Sequence, residues 1–288
     1  MAQTKVTTNP PPPSINYKPL YPWASDELLT ETSSLTSIAD WMAHLESEPD
    51  FKGRAFGREC DAYISVRPCI AGEPVCVDNH SNNGEPFFFF YQTVFKRIRQ
   101  CLPFTSFERE LLMEINIAPA QLHPNSWAFI RAFSILCNFF GHAPSVDVFL
   151  HFFEAKSPGK NIWVNFSGIT GRVILTLFQQ SYKGFKVKFF RVCYSEQDQT
   201  TLDGFPLYWV GALKLKKAKT LDELSLGDRE VCQVLANLGV IFNTAQVIKN
   251  EYSPTGLIGY IGMGILSQPS SSIALFIPIL LLVNSYLC

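Results

Sequence analysis

The chain has 288 residues, with 24 basic and 25 acidic side chains and a formal charge of −1. Apolar residues make up 47% and charged residues 17%, against about 25% charged in an ordinary soluble domain. That balance excludes disorder over most of the length and a polybasic binder acting through bulk charge, while the length allows one large domain or two modest ones.

The first 14 residues are polar and end in the run Pro10–Pro13, which has polyproline character and lacks the apolar core of a signal peptide. Residues 35–46 place Leu35, Ile38, Trp41 or Met42 and Leu45 at helical spacing. Residues 61–66 and the Phe87–Phe90 region predict strands or buried extended segments, separated by turn chemistry at 79–86. Thr105 and Glu108 form a capping-box pair ahead of Phe107, Leu111 and Ile115. Pro119 and Pro124 mark a loop in which His123, preceding proline, is extended, and Asn125 or Ser126 caps a helix that stops at Gly141. On that helix Arg131, Ser134 and Asn138 form one narrow polar stripe on an otherwise apolar surface. Ser145 caps a third helix.

From residue 162 the period changes to that of strands, at 162–167, 173–178, 185–194 and 205–210. A bulge at Phe189–Phe190 would keep both apolar sets of 185–194 inside and put Lys186, Lys188 and Arg191 outside. Ser225 and Asp228 cap a helix ending at Gly239, and Thr244 caps a short one before Pro254. The fold class expected is therefore α+β. It has a central helical core (helices near 106–116, 126–140 and 146–155), then a small antiparallel sheet (162–210) and a C-terminal helical pair.

Eight cysteines with no C-x-x-C pair argue against a disulfide scaffold or a zinc knuckle and fit reduced, buried thiols. No Walker loop, nucleophile elbow, H-E-x-x-H or dinucleotide fingerprint is present, so no catalytic residue, metal ligand or cofactor is assigned, and an enzyme is not the leading reading. His142 and His151 lie near Cys137 and Glu154 but lack ligand spacing. Asp61, Asp78, Asp147 and Glu154 are a trio-plus-one that any chain with 25 acids contains. Residues 183–219 carry eight bases and three acids. Within them Lys183, Lys186, Lys188 and Arg191 are candidate nucleic-acid contacts, with Tyr182 available to stack, against the alternative of a solvated strand face. KLKKAK at 214–219 has a weak nuclear-import look beside the same alternative. In QLHPNSWAF, His123, Pro124, Asn125, Trp127 and Phe129 read as structural (entry angle, cap and core anchors), with a recognition patch of His123, Asn125 and Trp127 as the alternative.

The last 37 residues, 252–288, carry no charged side chain, and 273–287 are nearly all apolar, interrupted by Pro278. A membrane-spanning helix needs about 20 apolar residues.

LPFTSFERELL (102–112), INIAPAQLHPNSWAFIRAFSILC (115–137), PSVDVFLHFFEAK (144–156) and SYKGFKVKFFRV (181–192) resemble the plant gypsy-type transposon family, also labelled transposases. Residues 224–252 resemble its downstream segment, and the likeness covers roughly 36–262. It implies a retrotransposon-derived protein and carries no catalytic residue set. The domains expected are a flexible Pro-containing arm (1–34), the family-like α+β domain (35–251) and the apolar tail (252–288). Family members continue past the YIG at 260–262 into a polar, often coiled-coil region, so the resemblance implies a truncated element or a gene model read into non-coding sequence, with a membrane anchor or a buried terminal element as the alternatives. The leading function is a non-enzymatic structural or interaction module, capsid-like or nucleic-acid-associated; a metal-dependent transposition enzyme and a tail-anchored membrane protein are the alternatives. Partners compatible with the residues are a second copy of the chain, nucleic acid, and a membrane through 273–287. An intracellular place, nucleus or cytoplasm, is favoured, with membrane anchoring as the alternative.

Overall fold

A computed structural model describes residues 15–37, 39, 64–78, 86–157, 162–178, 180, 182–194, 204–213 and 215–267. The helix expected over 35–46, the polyproline run and the apolar stretch 273–287 lie largely or wholly outside these residues.

The chain forms a mixed α+β fold with eight α-helices among the described residues. In order these are α1 (Asp26–Thr30), β1 (Ile64–Arg67), β2 (Phe87–Tyr91), α2 (Gln92–Ile98), α3 (Ser106–Ile115), α4 (Pro124–Phe139), α5 (Val146–Phe152), β3 (Phe153–Lys156), β4 (Asn165–Gly168), β5 (Phe189–Tyr194), α6 (Leu226–Asn237), α7 (Thr244–Asn250) and α8 (Pro254–Leu266). None of these helices is long and apolar enough to cross a membrane.

The helical core follows from local signals. Thr105 Oγ1 accepts from the Glu108 amide at 3.3 Å and Glu108 Oε2 accepts from the Thr105 amide at 2.8 Å, so α3 opens on a reciprocal capping box. Ser145 caps α5 and Ser225 caps α6, each accepting from the amide three residues on. Gly141 ends the α4 region with φ +75°, where a Cβ would be strained. His123 is extended before Pro124, as its position requires. The cap of α4 differs from expectation: it is His123, whose Nδ1 accepts from the Asn125 amide at 3.1 Å. Asn125 and Ser126 are thereby freed for other contacts, and Ser126 Oγ accepts from the Phe166 amide at 2.8 Å. Likewise Asn243, not Thr244, caps α7, while the buried Thr244 donates to the Thr176 carbonyl at 2.6 Å.

The sheet is antiparallel and small, but its membership is wider than 162–210. Strand β5 lies in the middle, between β1 and β2, in the order β1-β5-β2. Its register pairs Val192 with Val66 on one side and Phe88 on the other. A separate ribbon joins β3 to β4. Thus the helix expected to 155 stops at Phe152, because Phe153 turns extended to pair with Gly168. Residues 205–210 are irregular rather than a strand. The Gln121 carboxamide satisfies that segment instead, accepting from the Val210 amide at 3.1 Å and donating to its carbonyl at 2.9 Å. Residues 173–178 contribute one isolated bridge, Leu175 to Phe242.

No bulge is needed at Phe189–Phe190, since the paired register runs unbroken and both residues are fully buried. The sheet is covered on both faces, which explains a β2 sequence, FFFFY, with no polar alternation. On one face Phe88 and Phe90 meet Phe104, and Phe104 stacks on Trp127 at 5.2 Å. On the other, Tyr91 stacks on Trp163 at 5.5 Å and Phe89 meets Phe189 edge-on. Trp127 is wholly buried and donates its indole N–H to the Pro119 carbonyl at 3.3 Å.

Two segment boundaries also differ from the sequence reading. Residues 15–34 pack on the body rather than standing free: Tyr21, Ala24 and Leu28 are buried, and Ser33 Oγ donates to the Phe189 carbonyl at 2.5 Å. The C-terminal pair is followed by a third helix, α8, whose Leu257, Ile261 and Ile265 are buried and whose Tyr260 hydroxyl accepts from the Asn243 amide at 2.7 Å. The charge-free composition of its sequence hid an ordinary half-buried helix.

Candidate functional site

Four basic side chains of the 181–192 stretch were singled out by type and spacing, and the fold divides them. Arg191 lies on the central strand and turns inward. Its guanidinium pairs with Glu73, with Nε donating to Oε2 at 3.0 Å, and lies 4.2 Å from the Phe87 ring centroid. The Glu73 side chain is only 3% exposed, so this is an internal ion pair and a correction to Arg191 as a nucleic-acid contact. Lys186 is held too. It pairs with Glu31 and, at 3.3 Å, with Glu27, and its ammonium lies 5.9 Å from the Trp163 ring. Partial burial opposes its charge, yet the two carboxylates keep Lys186 above the ordinary lysine range. Burial in turn raises the Glu31 carboxyl, against the pull of Lys186.

Lys183 and Lys188 instead line an open groove of about 930 Å³. One wall is α2, which supplies Gln92, Thr93, Lys96, Arg97 and Arg99. Phe178, Gln180, Tyr182 and Phe185 line the groove alongside the two lysines. Ala245, Ile248 and Lys249 of α7 close one end. Six cations therefore face the groove, and no carboxylate is among the described residues lining it. Lys96, Arg97, Lys183, Lys188 and Lys249 make no ion pair among the described residues. Arg99 ends α2 in the left-handed region, at φ 60°, and its guanidinium lies 5.7 Å from the Tyr252 ring.

The groove wall is braced from behind by the HPN run. His123 packs edge-on against Phe185 at 5.5 Å and Asn125 Oδ1 accepts from the Gln180 amide at 3.4 Å. The Gln92 amide donates to the Lys188 carbonyl at 2.9 Å, tying α2 to the 178–188 segment at the sheet end. Burial holds His123 down at about 4, with nearby Lys186 pushing the same way, so the ring is neutral at pH 7 and its Nδ1 stays available as the α4 cap acceptor. Of the residues read as structural, Pro124 is the first residue of α4, Trp127 anchors the core, and Phe129 packs on Phe153 at 5.3 Å.

The other candidates are engaged elsewhere. His151 Nδ1 contacts the Lys219 carbonyl at 3.1 Å, beside the Arg172 guanidinium, and burial lowers its pKa. Asp78 accepts from the Tyr21 hydroxyl at 2.8 Å, Asp147 pairs with Lys219 at 2.7 Å, and Glu154 pairs with Lys156, so these acids do not converge; Asp61 lies outside the described residues. Among the described residues no group of three His, Cys, Asp or Glu side chains could hold a metal ion. In the 214–219 run, Lys216 pairs with Glu114 at 3.0 Å and Lys219 with Asp147, which makes this a loop tied to α3 and α5. What sequence reasoning missed was the α2 contribution. The run KRIR at 96–99 carries the signal, three bases in four residues on a short helix.

No curated protein and no solved structure matches the chain. Residues 94–157 match a family model described as "Putative gypsy type transposon". That match runs from within α2 to the residue after β3, and so includes Lys96, Arg97 and Arg99 of the groove and the HPN brace behind it. Over these residues, under a quarter of the chain, the sequence is similar to the gypsy-type transposon family.

Proposed function

We propose that the chain is a non-catalytic interaction module that binds nucleic acid along its basic groove. One observation carries the reading: six cations from three separate elements line a single groove with no acid among its described lining residues. A set of lysines and arginines left unpaired this way suits a backbone of phosphates, whose binding gains from counterion release. The aromatic residues Tyr182, Phe185 and Phe178 along the same groove favour a nucleic acid over a flat anionic membrane, because rings offer a stacking surface to bases. The likeness of residues 94–157 to a transposon family supports the same class of partner.

The test is fluorescence anisotropy of the full chain with labelled oligonucleotides across a salt series. Binding should weaken with salt, with a slope of log K on log[salt] between about −2 and −4. Lys188→Glu should lower affinity at least tenfold, while Lys217→Glu, an equal charge change at an exposed site outside the groove, should leave it within about twofold. Equal losses in both variants would mean that bulk charge rather than the groove does the binding, and would overturn the reading. So would binding to phosphatidylserine vesicles with none to oligonucleotides. Metal-dependent cleavage of the bound strand would overturn its non-catalytic half.

A further inference from the structure

Gln92 is only 6% exposed and lines the groove, yet its Nε2 has no hydrogen-bond partner among the described residues. The hydroxyl of Tyr182, which also lines the groove, is likewise buried and without a partner among the described residues. A buried donor left unsatisfied costs stability, and an apolar side chain of the same shape would avoid the cost. Two such donors in one basic groove make a built site for a ligand that brings acceptor atoms to them.

From this we infer that the groove takes a single strand rather than a duplex, with an unpaired base presenting its carbonyl oxygens to Gln92 Nε2 and the Tyr182 hydroxyl. The inference rests on the nucleic-acid reading above. In a duplex the pairing edges are occupied inside the stack and the phosphates lie outermost, so a duplex reaches the rim lysines but brings no pairing edge to a buried carboxamide. An unpaired base can splay out, lie against a ring and use its pairing edge for side-chain hydrogen bonds. The volume, about 930 Å³, is that of a cleft for a few nucleotides. Lys183, Lys188 and Arg97 then flank the strand's phosphates.

The experiment compares the full chain with two variants, Gln92→Met and Tyr182→Phe, against a labelled 12-residue oligothymidylate and a duplex of the same length. The wild type should bind the single strand at least tenfold more tightly than the duplex. Each variant should lose about fivefold or more of single-strand affinity, keep its duplex affinity, and keep its salt slope, because a neutral hydrogen bond and not a phosphate contact has been removed. Each should also melt no lower than the wild type, since an unsatisfied donor has gone. Equal affinity of the wild type for both ligands, or unchanged single-strand affinity in whichever variants fold, overturns the inference and leaves the groove reading intact. Absence of binding to either ligand overturns both.

Discussion

His123 is a short-range decision with a long reach. A neutral ring can accept the Asn125 amide proton at Nδ1, and a protonated one cannot, so the cap of the longest helix titrates. Its folded pKa, about 4, is depressed below the ordinary histidine value of 6.5. The stability it contributes is therefore complete above pH 6.5 and is lost as pH falls through about 4. Allowing for partial exposure, the loss should be about 2 kcal/mol. Burial raises the carboxyls of Glu31, Glu108 and Glu251, whose contributions run the other way, present at low pH and lost as pH rises. Their effect cancels in a comparison between wild type and His123→Asn, which keeps an acceptor at the cap without a titrating ring. Urea denaturation at pH 7 and pH 4 should show the wild type losing about 2 kcal/mol more than the variant; equal losses would assign acid sensitivity elsewhere.

At the scale of elements, the polar stripe of α4 works as a seam. Arg131 Nη2 donates to Glu251 Oε1 at 2.6 Å and to the Tyr252 hydroxyl at 3.2 Å, and the two charged side chains are only 12% and 19% exposed. Removing one partner strands the other in a poorly solvated place, so Arg131→Met and Glu251→Gln should each cost about 2–4 kcal/mol. The double variant should cost less than their sum by about 1–3 kcal/mol, measured by a denaturation cycle. Strict additivity would mean that the pair contributes nothing across the seam. Ser145, which donates to Asp228 Oδ1 at 2.7 Å while capping α5, makes a second such tie to α6.

These elements also mark what could be read in advance. The capping box at Thr105–Glu108, the Ser145 and Ser225 caps and the Gly141 stop depend on neighbours three or four residues away, and all stand where the residues indicate. Sheet membership depends on residues far apart, so all three strands were legible as extended segments while the pairing of β1 and β2 with β5 was not. Lys183, Lys186, Lys188 and Arg191 look alike in a list of types. Only Glu31, Glu27 and Glu73, brought in from more than 100 residues away, separate the internally paired from the groove-facing. The α2 cations were present in the text of the chain but sit beside Phe95 and Ile98, which seat the helix against the core while its bases face the groove.

For the whole molecule, the segment 15–37 acts as a strap over the sheet. Ser34 donates its amide to the Val187 carbonyl at 2.7 Å, next to the groove wall, and Leu35 accepts from the Cys69 amide at 3.0 Å. Trp23 is seated against Gly211, where an added Cβ would fall 2.5 Å from the ring carbon Cγ. Gly211→Ala must push the indole away and should cost about 1–3 kcal/mol. Limited proteolysis should then cut within 15–37 sooner than in the wild type; an unchanged pattern would mean that the strap does not depend on this seat.

The order of strands has a consequence for synthesis. The middle strand of the sheet is the last of the three to be made: β1 and β2 are finished by Tyr91, and the first residue of β5, Phe189, follows 98 residues later (189 − 91). At roughly 5–20 residues per second, the flanking strands wait about 5–20 s on the ribosome without the partner that joins them. During that interval FFFFY, five buried side chains in the finished fold, has open edges on both sides and the composition of an aggregating segment. The nascent helices α3 and α4 arrive within it and can cover one face through Phe104 and Trp127. In birth order, then, the helical segment shields the sheet's first strands until β5 emerges and closes them.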